Sequence, residues 1–401
     1  MTISVISEVM SSKAPKCPNL PNYPPNSVLR VYTIPRNKEM SSALQSVDDD
    51  VLGAICALLE EYELKQISLV DKRLREASLP LLFQRVCIRF VYNTENVWKS
   101  AMDAVEDLLA STALDIVVRN TRFLDIHISE HPSEDCGEDS MPSVLPERLA
   151  KLLSAPFRQL RTLVFSIDER KAQTFGNKFR IAGIELHMVT VLLVGAYCDF
   201  MVPLCPNVEH VATCDWVWLT SNRGGASREH SFRLIAAAGG AKMLRHFEMN
   251  EWWSADLLNA VYDAMPCIEM LTLDGGRVRD SIKLLLPILS QFKKLKTLGL
   301  VHSSFLGVGF DPPWSGNVYA GPGGVELLRR VQVEMEAANR CVADMVFGAC
   351  INLDVMTLGD TARAVVIRGD GGQIQDIRWC KTQRRPTRSF DVPSLFSSFH
   401  R

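Results

Sequence analysis

The most regular apolar pattern in the chain lies between residues 47 and 82. An acidic cluster at residues 48–50 opens a run of apolar residues at helical spacing, a polar break follows at residues 60–61, and a second helical run starts at Leu64. Carboxylates at a helix N-terminus interact favourably with the unpaired amides and with the positive end of the dipole. The pattern therefore predicts two or three short helices. So small a bundle buries little core by itself and usually needs a partner.

A second pattern recurs downstream as the phrase L-x-x-L-x-L, with conservative replacements. In most copies the last two apolar positions alternate, as they do in a half-buried strand. The copies run from Leu160 to Phe165, Val208 to Thr213, Leu244 to Met249, Ile268 to Leu273, Leu295 to Leu300 and Leu353 to Leu358, with a partial copy from Leu124 to Ile128. The outward positions of these strands are chemically mixed and indicate no ligand class: Val164, Ala212, Glu248, Thr272, Gly299 and Thr357.

Helical patterns fill the intervals between these phrases. They cover Ile184–Tyr197, Ser254–Met265, Asp280–Phe292 and Gly324–Phe347, with Ser254 and Asp280 as expected N-caps. The apolar run within the first, Val189–Tyr197, is expected to be a buried helix because it is too short to span a bilayer. The Gly- and Pro-rich stretch 305–324 is expected to be a long loop.

Residues 47–86 resemble an F-box. Val47 and Asp48 stand where the family has Leu-Pro, and residues 49–50 match its acidic pair. Apolar matches through both helices and the Lys72-Arg73-Leu74 end follow without a gap, although Leu74 replaces an aromatic residue. The exit from Leu79 to Val86 is similar to one common in fungal members. The missing Pro at position 48 removes a fixed φ angle from the helix start.

The strand–loop–helix alternation resembles leucine-rich repeats, whose period of roughly 24–27 residues matches two of the intervals. The other intervals are longer, and the Asn of the usual repeat is missing. An α/β domain with a parallel sheet and covering helices is the alternative, and it too has parallel strands. We expect an α/β chain with a disordered arm over 1–42, a helical F-box over 43–90, an irregular leucine-rich-repeat-like solenoid over 91–380 and a basic flexible tail over 381–401.

The resemblance implies a substrate-recognition subunit of a ubiquitin ligase. F-box helices dock an adaptor of the SKP family, which joins a cullin, while the other domain holds a protein substrate that the sequence does not identify. A repeat protein that acts as an interaction scaffold outside a ligase, with the helices as a cap, is the alternative. The expected adaptor-binding face consists of apolar helical positions, some of which must pack the helices' own core: Val47, Val51, Leu52, Ile55, Leu59, Leu64, Ile67 and Val70.

The composition of the chain argues against several classes of function. The chain has 401 residues, 47% of them hydrophobic, and a net charge of −2, which gives no indication of nucleic-acid binding. Its 11 cysteines include no C-x-x-C pair and no zinc-ligand spacing, so free thiols in the cytoplasm or nucleus are expected. We expect no catalytic residues, no metal and no cofactor, because no catalytic or phosphate-binding motif is present. We also expect no membrane partner. His127, His210 and His246 are expected to face solvent or to be hydrogen-bonded.

Overall fold

The computed structural model describes residues 47–91, 96–130, 141–214, 228–274, 280–313, 319, 321, 323–359, 362–369 and 371–381. The N-terminal arm expected over 1–42 and nearly all of the tail expected over 381–401 lie outside the described residues. So does part of the loop expected over 305–324. None of the helices in the described ranges combines the length and the apolar character needed to cross a membrane.

Three short helices open the described chain, and strands alternate with helices after them. The helices are α1 (Asp49–Cys56), α2 (Glu61–Ile67), α3 (Lys72–Leu82), α4 (Val97–Ala110), α5 (Leu114–Asn120), α6 (Leu145–Leu153), α7 (Glu169–Ala182), α8 (Glu229–Gly239), α9 (Ala255–Ala264), α10 (Ile282–Leu289) and α11 (Gly324–Ala349). The strands are β1 (Arg85–Val91), β2 (Phe123–Ser129), β3 (Thr162–Ile167), β4 (Val191–Val194), β5 (His210–Thr213), β6 (His246–Asn250), β7 (Met270–Asp274), β8 (Thr297–Leu300), β9 (Val355–Leu358), β10 (Ala362–Arg368) and β11 (Ile374–Lys381). Short 3₁₀ helices follow β4 (Asp199–Leu204) and β8 (Ser303–Phe305).

Within the described residues, eleven strands form one open sheet in which each strand lies beside the strand that precedes it in the chain. Strands β1 to β9 pair in parallel, and β9, β10 and β11 pair antiparallel. All six complete copies of the L-x-x-L-x-L phrase contain a strand, as does the partial copy from Leu124 to Ile128. The expected α/β class with mostly parallel strands and helices between them is therefore confirmed.

One face of the sheet carries the core. The apolar positions of the phrases lie side by side in the register, for example Leu163 beside Leu192 and Phe247 beside Leu271. These side chains and the buried residues of α4 to α11 belong to a single core that begins at Val86. Neighbouring helices also contact one another in chain order from α8 to α11. The layer of helices therefore covers one face of the sheet and leaves the alternate strand residues on the other.

The helix predicted over Ile184–Tyr197 is wrong. Residues Val191–Val194 form β4, which pairs with β3 and β5 and so divides the long interval between two recognised phrases. An apolar run of four to eight residues has the same appearance in a buried helix and in a parallel strand, because both faces of the strand lack polar positions. Only pairing on both edges decides between the two.

The two expected N-caps have different outcomes. Ser254 caps α9, and its Oγ accepts from the backbone N–H of Leu257 at 3.5 Å. The N-cap of α10 is Ser281, so the prediction of Asp280 is wrong. The carboxylate of Asp280 instead accepts from the backbone N–H of Ala255 at 2.8 Å, in the first turn of the neighbouring helix α9. The acidic residue therefore stabilises a helix start that is distant in sequence.

The N-terminal helices form a separate small unit. Helix α3 packs against both α1 and α2 and also contacts α5. Leu52, Cys56 and Leu64 are buried between the helices and are not part of the core that begins at Val86. The chain passes from α3 into β1 through only two residues, so the three helices lie at the β1 end of the sheet. The sequence boundary at residue 90 falls inside β1.

Candidate functional site

The eight residues expected to bind an adaptor occupy three different environments. Leu52 and Leu64 are buried within the three-helix unit. Val51, Ile55 and Val70 are exposed, with 49%, 48% and 73% of their surface accessible. The remaining three are partly buried: Val47, Leu59 and Ile67. The structure thus separates the side chains that hold the helices together from those that are available to a partner.

Exposed apolar side chains are concentrated on these helices. Six of the sixteen exposed large hydrophobic residues in the described part of the chain lie between residues 51 and 70. Three of them were not included in the expected face: Leu58, Tyr62 and Leu69. Leu58 and Leu69 are adjacent to Leu59 and Val70 of the expected face, and the apolar pattern alone does not decide which members of each pair are exposed. We call these six residues the exposed helical face: Val51, Ile55, Leu58, Tyr62, Leu69 and Val70.

Polar contacts hold the three helices in a defined arrangement. The Arg73 guanidinium at the start of α3 donates to Asp49 Oδ1 at 2.7 Å and to the backbone carbonyl of Val47, which joins α3 to the start of α1. Helix α2 begins with a capping box in which the Glu60 N–H donates to the Glu63 carboxylate at 2.9 Å. The Asp71 carboxylate accepts from the Arg73 N–H at the start of α3. The Arg73 of the family-like Lys-Arg pair therefore has a structural role within the unit.

The face of the sheet opposite the helices carries the predicted outward row in register. Val164 pairs with Leu193, Leu193 with Ala212, and Ala212 with Glu248. Glu248 is followed by Thr272, Gly299 and Thr357 on the next three strands. The prediction that these residues share one face is confirmed. Cys87 and Asp125 extend the row toward β1.

Near β1 this face holds a buried charged group. Asp125 is almost fully buried and accepts from Arg89 Nε at 2.7 Å. Burial raises the pKa of Asp125, and the hydrogen bond and charge of Arg89 act against that shift. His127 lies beside Arg89 in the register and is also buried, so desolvation, with a smaller contribution from Arg89, lowers the pKa of His127 to about 4. His127 is thus buried, so of the two expected environments, facing solvent or hydrogen-bonded, the first does not apply to it.

In the middle of the same face, two histidines and a glutamate meet. His210 of β5 and His246 of β6 are partners in the register, and their rings stack with centroids 3.8 Å apart and planes inclined by 11°. Glu248 Oε2 lies 3.9 Å from His210 Nε2 and 3.8 Å from His246 Nε2. We call these three residues the histidine pair cluster. Sequence reasoning missed it, although the signal was present, because both histidines occupy the third position of an L-x-x-L-x-L copy.

A polar network lies at the carboxyl ends of β4 to β6. The hydroxyl of Ser231 donates to Glu251 Oε2 at 2.7 Å, and His230 Nε2 lies 3.5 Å from the same oxygen. Burial acts to raise the pKa of Glu251, but hydrogen bonds from His230, Ser231 and the Trp252 N–H lower it to about 2. In a Ser-His-Asp triad the serine hydroxyl is hydrogen-bonded to the imidazole, which acts as its general base. Here the hydroxyl is bonded to the carboxylate, which fits a structural network that fixes the ends of the strands.

Comparison of the sequence with models of known protein families and with curated proteins gave no match.

Proposed function

We propose that the chain is the substrate-recognition subunit of a SKP–cullin–F-box ubiquitin ligase. The exposed helical face binds an adaptor of the SKP family, which connects the chain to a cullin, and the sheet domain binds a protein substrate. One observation carries the proposal: exposed apolar side chains are concentrated on α1, α2 and the turns that follow them, in a segment whose sequence follows the F-box pattern from Val47 to Leu74.

The energetics of this face support a protein partner. Isolated apolar side chains on a surface are common, but a concentration of them on one small unit favours an interaction site. Transfer of apolar surface from water to an interface stabilises a complex by about 25 cal/mol per Å². Leu58, Tyr62, Leu69 and Val70 each have more than two thirds of their surface accessible, so each has much to gain from burial against a partner.

The order of the strands supports a leucine-rich-repeat-like solenoid for the second domain. In a doubly wound α/β fold the strand order reverses at a switch point and helices cover both faces. Here the order is sequential and the buried helix residues join one core on one face. The irregular lengths of the intervals agree with repeats that carry insertions. In the described residues the opposite face of the sheet is the candidate surface for a substrate, as in other solenoids, although four members of its outward row are already buried: Val164, Ala212, Glu248 and Thr272.

A ligase subunit of this kind needs no chemistry of its own. It raises the local concentration of a substrate lysine near the recruited enzymes by binding two partners at once. The substrate is a protein that the outward row does not identify, and such ligases act in the cytoplasm or nucleus.

The test is co-purification with a SKP-family adaptor after charge is placed on the exposed helical face. Ile55→Asp combined with Val70→Asp should weaken binding roughly 100-fold or more, because two interface anchors are lost and two carboxylates are desolvated. Both positions are exposed in the chain, so the fold should be unaffected. Leu64 is unsuitable for this test because it is buried between the helices.

A matched control places the same charge on exposed apolar residues elsewhere, with Ile181→Asp in α7 and Val333→Asp in α11. This control variant should bind the adaptor as the wild type does. Equal binding by the helical-face variant and the wild type would contradict the proposed docking mode.

The second candidate function is that of a protein-interaction scaffold outside any ligase, and the position of the three helices is the observation that favours it. Helix α3 leads directly into β1 and contacts α5, so the unit also covers the β1 end of the sheet, as a cap does. A folded wild-type chain that binds no SKP-family adaptor would favour this candidate over the ligase subunit.

A further inference from the structure

The histidine pair cluster lies on the outward face of the sheet, away from the exposed helical face. Its three donor atoms come from two neighbouring strands, and they all lie within 4.8 Å of one another. The backbone positions are set by the parallel pairing of β5 with β6, which places His210 beside His246 and Ala212 beside Glu248. The cluster is therefore a consequence of the register and not of chain proximity, since 35 residues separate the two histidines.

We propose that His210, His246 and Glu248 bind one divalent transition-metal ion, for which Zn²⁺ is the best match. Each imidazole supplies its Nε2 and the glutamate supplies a carboxylate oxygen. This inference concerns the sheet domain alone and does not depend on the ligase proposal.

The chemistry of the donors selects the kind of ion. Two imidazole nitrogens with one carboxylate oxygen suit zinc and its neighbours, whereas calcium and magnesium prefer oxygen ligands only. Zinc takes nitrogen and oxygen donors at about 2.0–2.1 Å in a tetrahedron, which places neighbouring donors roughly 3.3–3.5 Å apart. The observed separations of 3.8 and 3.9 Å between Oε2 and the two Nε2 atoms need a contraction of only about half an ångström.

The two rings are stacked with nearly parallel planes, whereas the Nε2 lone pair of an imidazole lies in the plane of its ring. Coordination of one ion by both Nε2 atoms therefore requires the two rings to tilt toward each other by rotation about their Cα–Cβ and Cβ–Cγ bonds. His246 Nε2 also lies 3.3 Å from Thr272 Oγ1, a contact that coordination through Nε2 would replace.

The three proposed ligands differ in how deeply they are buried. Glu248 is 1% exposed and the His210 Nε2 atom is also buried, whereas the two imidazole side chains as a whole are partly exposed. With three protein ligands, a tetrahedral zinc ion needs a fourth donor, which water or another molecule would supply.

The experiment is a metal titration of the full chain after treatment with a chelator. Calorimetry with Zn²⁺ should show one strong site per chain, and the double variant His210→Asn/His246→Asn should bind at this site roughly 100-fold or more weakly. The control His187→Asn alters an exposed histidine beside Glu185, outside the cluster, and should bind as the wild type does. Glu248→Gln, which keeps the shape and removes the charge, should also weaken binding.

Two further measurements separate this site from others. Exposed thiols such as Cys267 also bind zinc, so Co²⁺ is added in parallel, and its spectrum should lack a thiolate charge-transfer band. Cu²⁺ paramagnetic resonance should show coupling to two imidazole nitrogens in the wild type and not in the double variant. If the double variant folds like the wild type by circular dichroism and binds Zn²⁺ with equal affinity and stoichiometry, the proposal is overturned. Absence of any strong site in the wild type overturns it as well.

Discussion

At the residue scale, position in the sheet register gives the three strand histidines different chemical roles. His127 is buried beside the Arg89–Asp125 pair, while His210 and His246 stack on one another over Glu248. All three looked equivalent along the chain, as polar residues within strand phrases. Their lateral neighbours, which come from other strands, set their burial and their partners.

His127 should make the stability of the protein depend on pH. Its pKa is about 4 in the folded chain, below the ordinary value of 6.5, so its contribution is complete above pH 6.5 and is lost as the pH falls toward 4. Between pH 7 and pH 5 the imidazole of His127 becomes protonated in the unfolded chain but stays largely neutral in the folded chain. This difference lowers the free energy of unfolding by about 2 kcal/mol. Urea unfolding at both pH values should show this loss in the wild type and a smaller loss in His127→Gln. An identical loss in both proteins would contradict the assignment.

At the element scale, helix ends are completed by residues from distant parts of the chain. Asp280 accepts from the first turn of α9, and Arg368 of β10 reaches the last turn of α11. Arg368 Nη2 donates to the carbonyls of Phe347 and Cys350 at 3.1 and 3.2 Å, which are among the groups that a helix C-terminus leaves without intrahelical partners. A cation at this end also interacts favourably with the helix dipole.

Loss of the Arg368 side chain should therefore destabilise the junction between α11 and β10. We expect Arg368→Met to lower the free energy of unfolding by about 1.5–3 kcal/mol, since hydrogen bonds from a charged donor to partly buried carbonyls are lost. Arg363 lies on the same strand and is exposed, so Arg363→Met is the matched control and should change stability by less than about 0.5 kcal/mol. Denaturant unfolding measures both, and equal effects would show that Arg368 has no capping role.

At the scale of the whole molecule, each strand pairs only with its immediate neighbours in the chain. The three-helix unit lies at the β1 end, and the antiparallel β10–β11 pair lies at the other end of the sheet. If the strand–helix units act as the repeats proposed above, stability is approximately the sum of the contributions of single units and of the contacts between adjacent ones. The two ends should therefore respond independently to moderate perturbation.

A cavity in the middle of the array tests this independence. Leu298 of β8 is fully buried, so Leu298→Ala should cost about 2–5 kcal/mol. Amide hydrogen exchange should accelerate most in β7, β8 and β9 and least in β1 and β2. A uniform loss of protection along all eleven described strands would indicate one cooperative core and contradict the nearest-neighbour description.

Local periodicity was sufficient to predict much of this structure. The alternation of apolar residues located seven strands, six from complete copies of the phrase and one from the partial copy, and it placed the outward row on one face. The helical spacing between residues 47 and 82 predicted two or three short N-terminal helices, and the structure has three. These features follow from the sequence because the side-chain periods of strands and helices are properties of the chain alone.

The tertiary structure decided which residues meet. It showed β4 in place of the expected helix, and it showed that Asp280 caps the start of α9 and not that of α10. It also separated the expected adaptor face into buried residues, such as Leu52 and Leu64, and their exposed neighbours. It also brought His210, His246 and Glu248 together. Strand pairing and helix packing bring together residues that are far apart in sequence. The apolar pattern along the chain does not determine which strands are neighbours in the sheet.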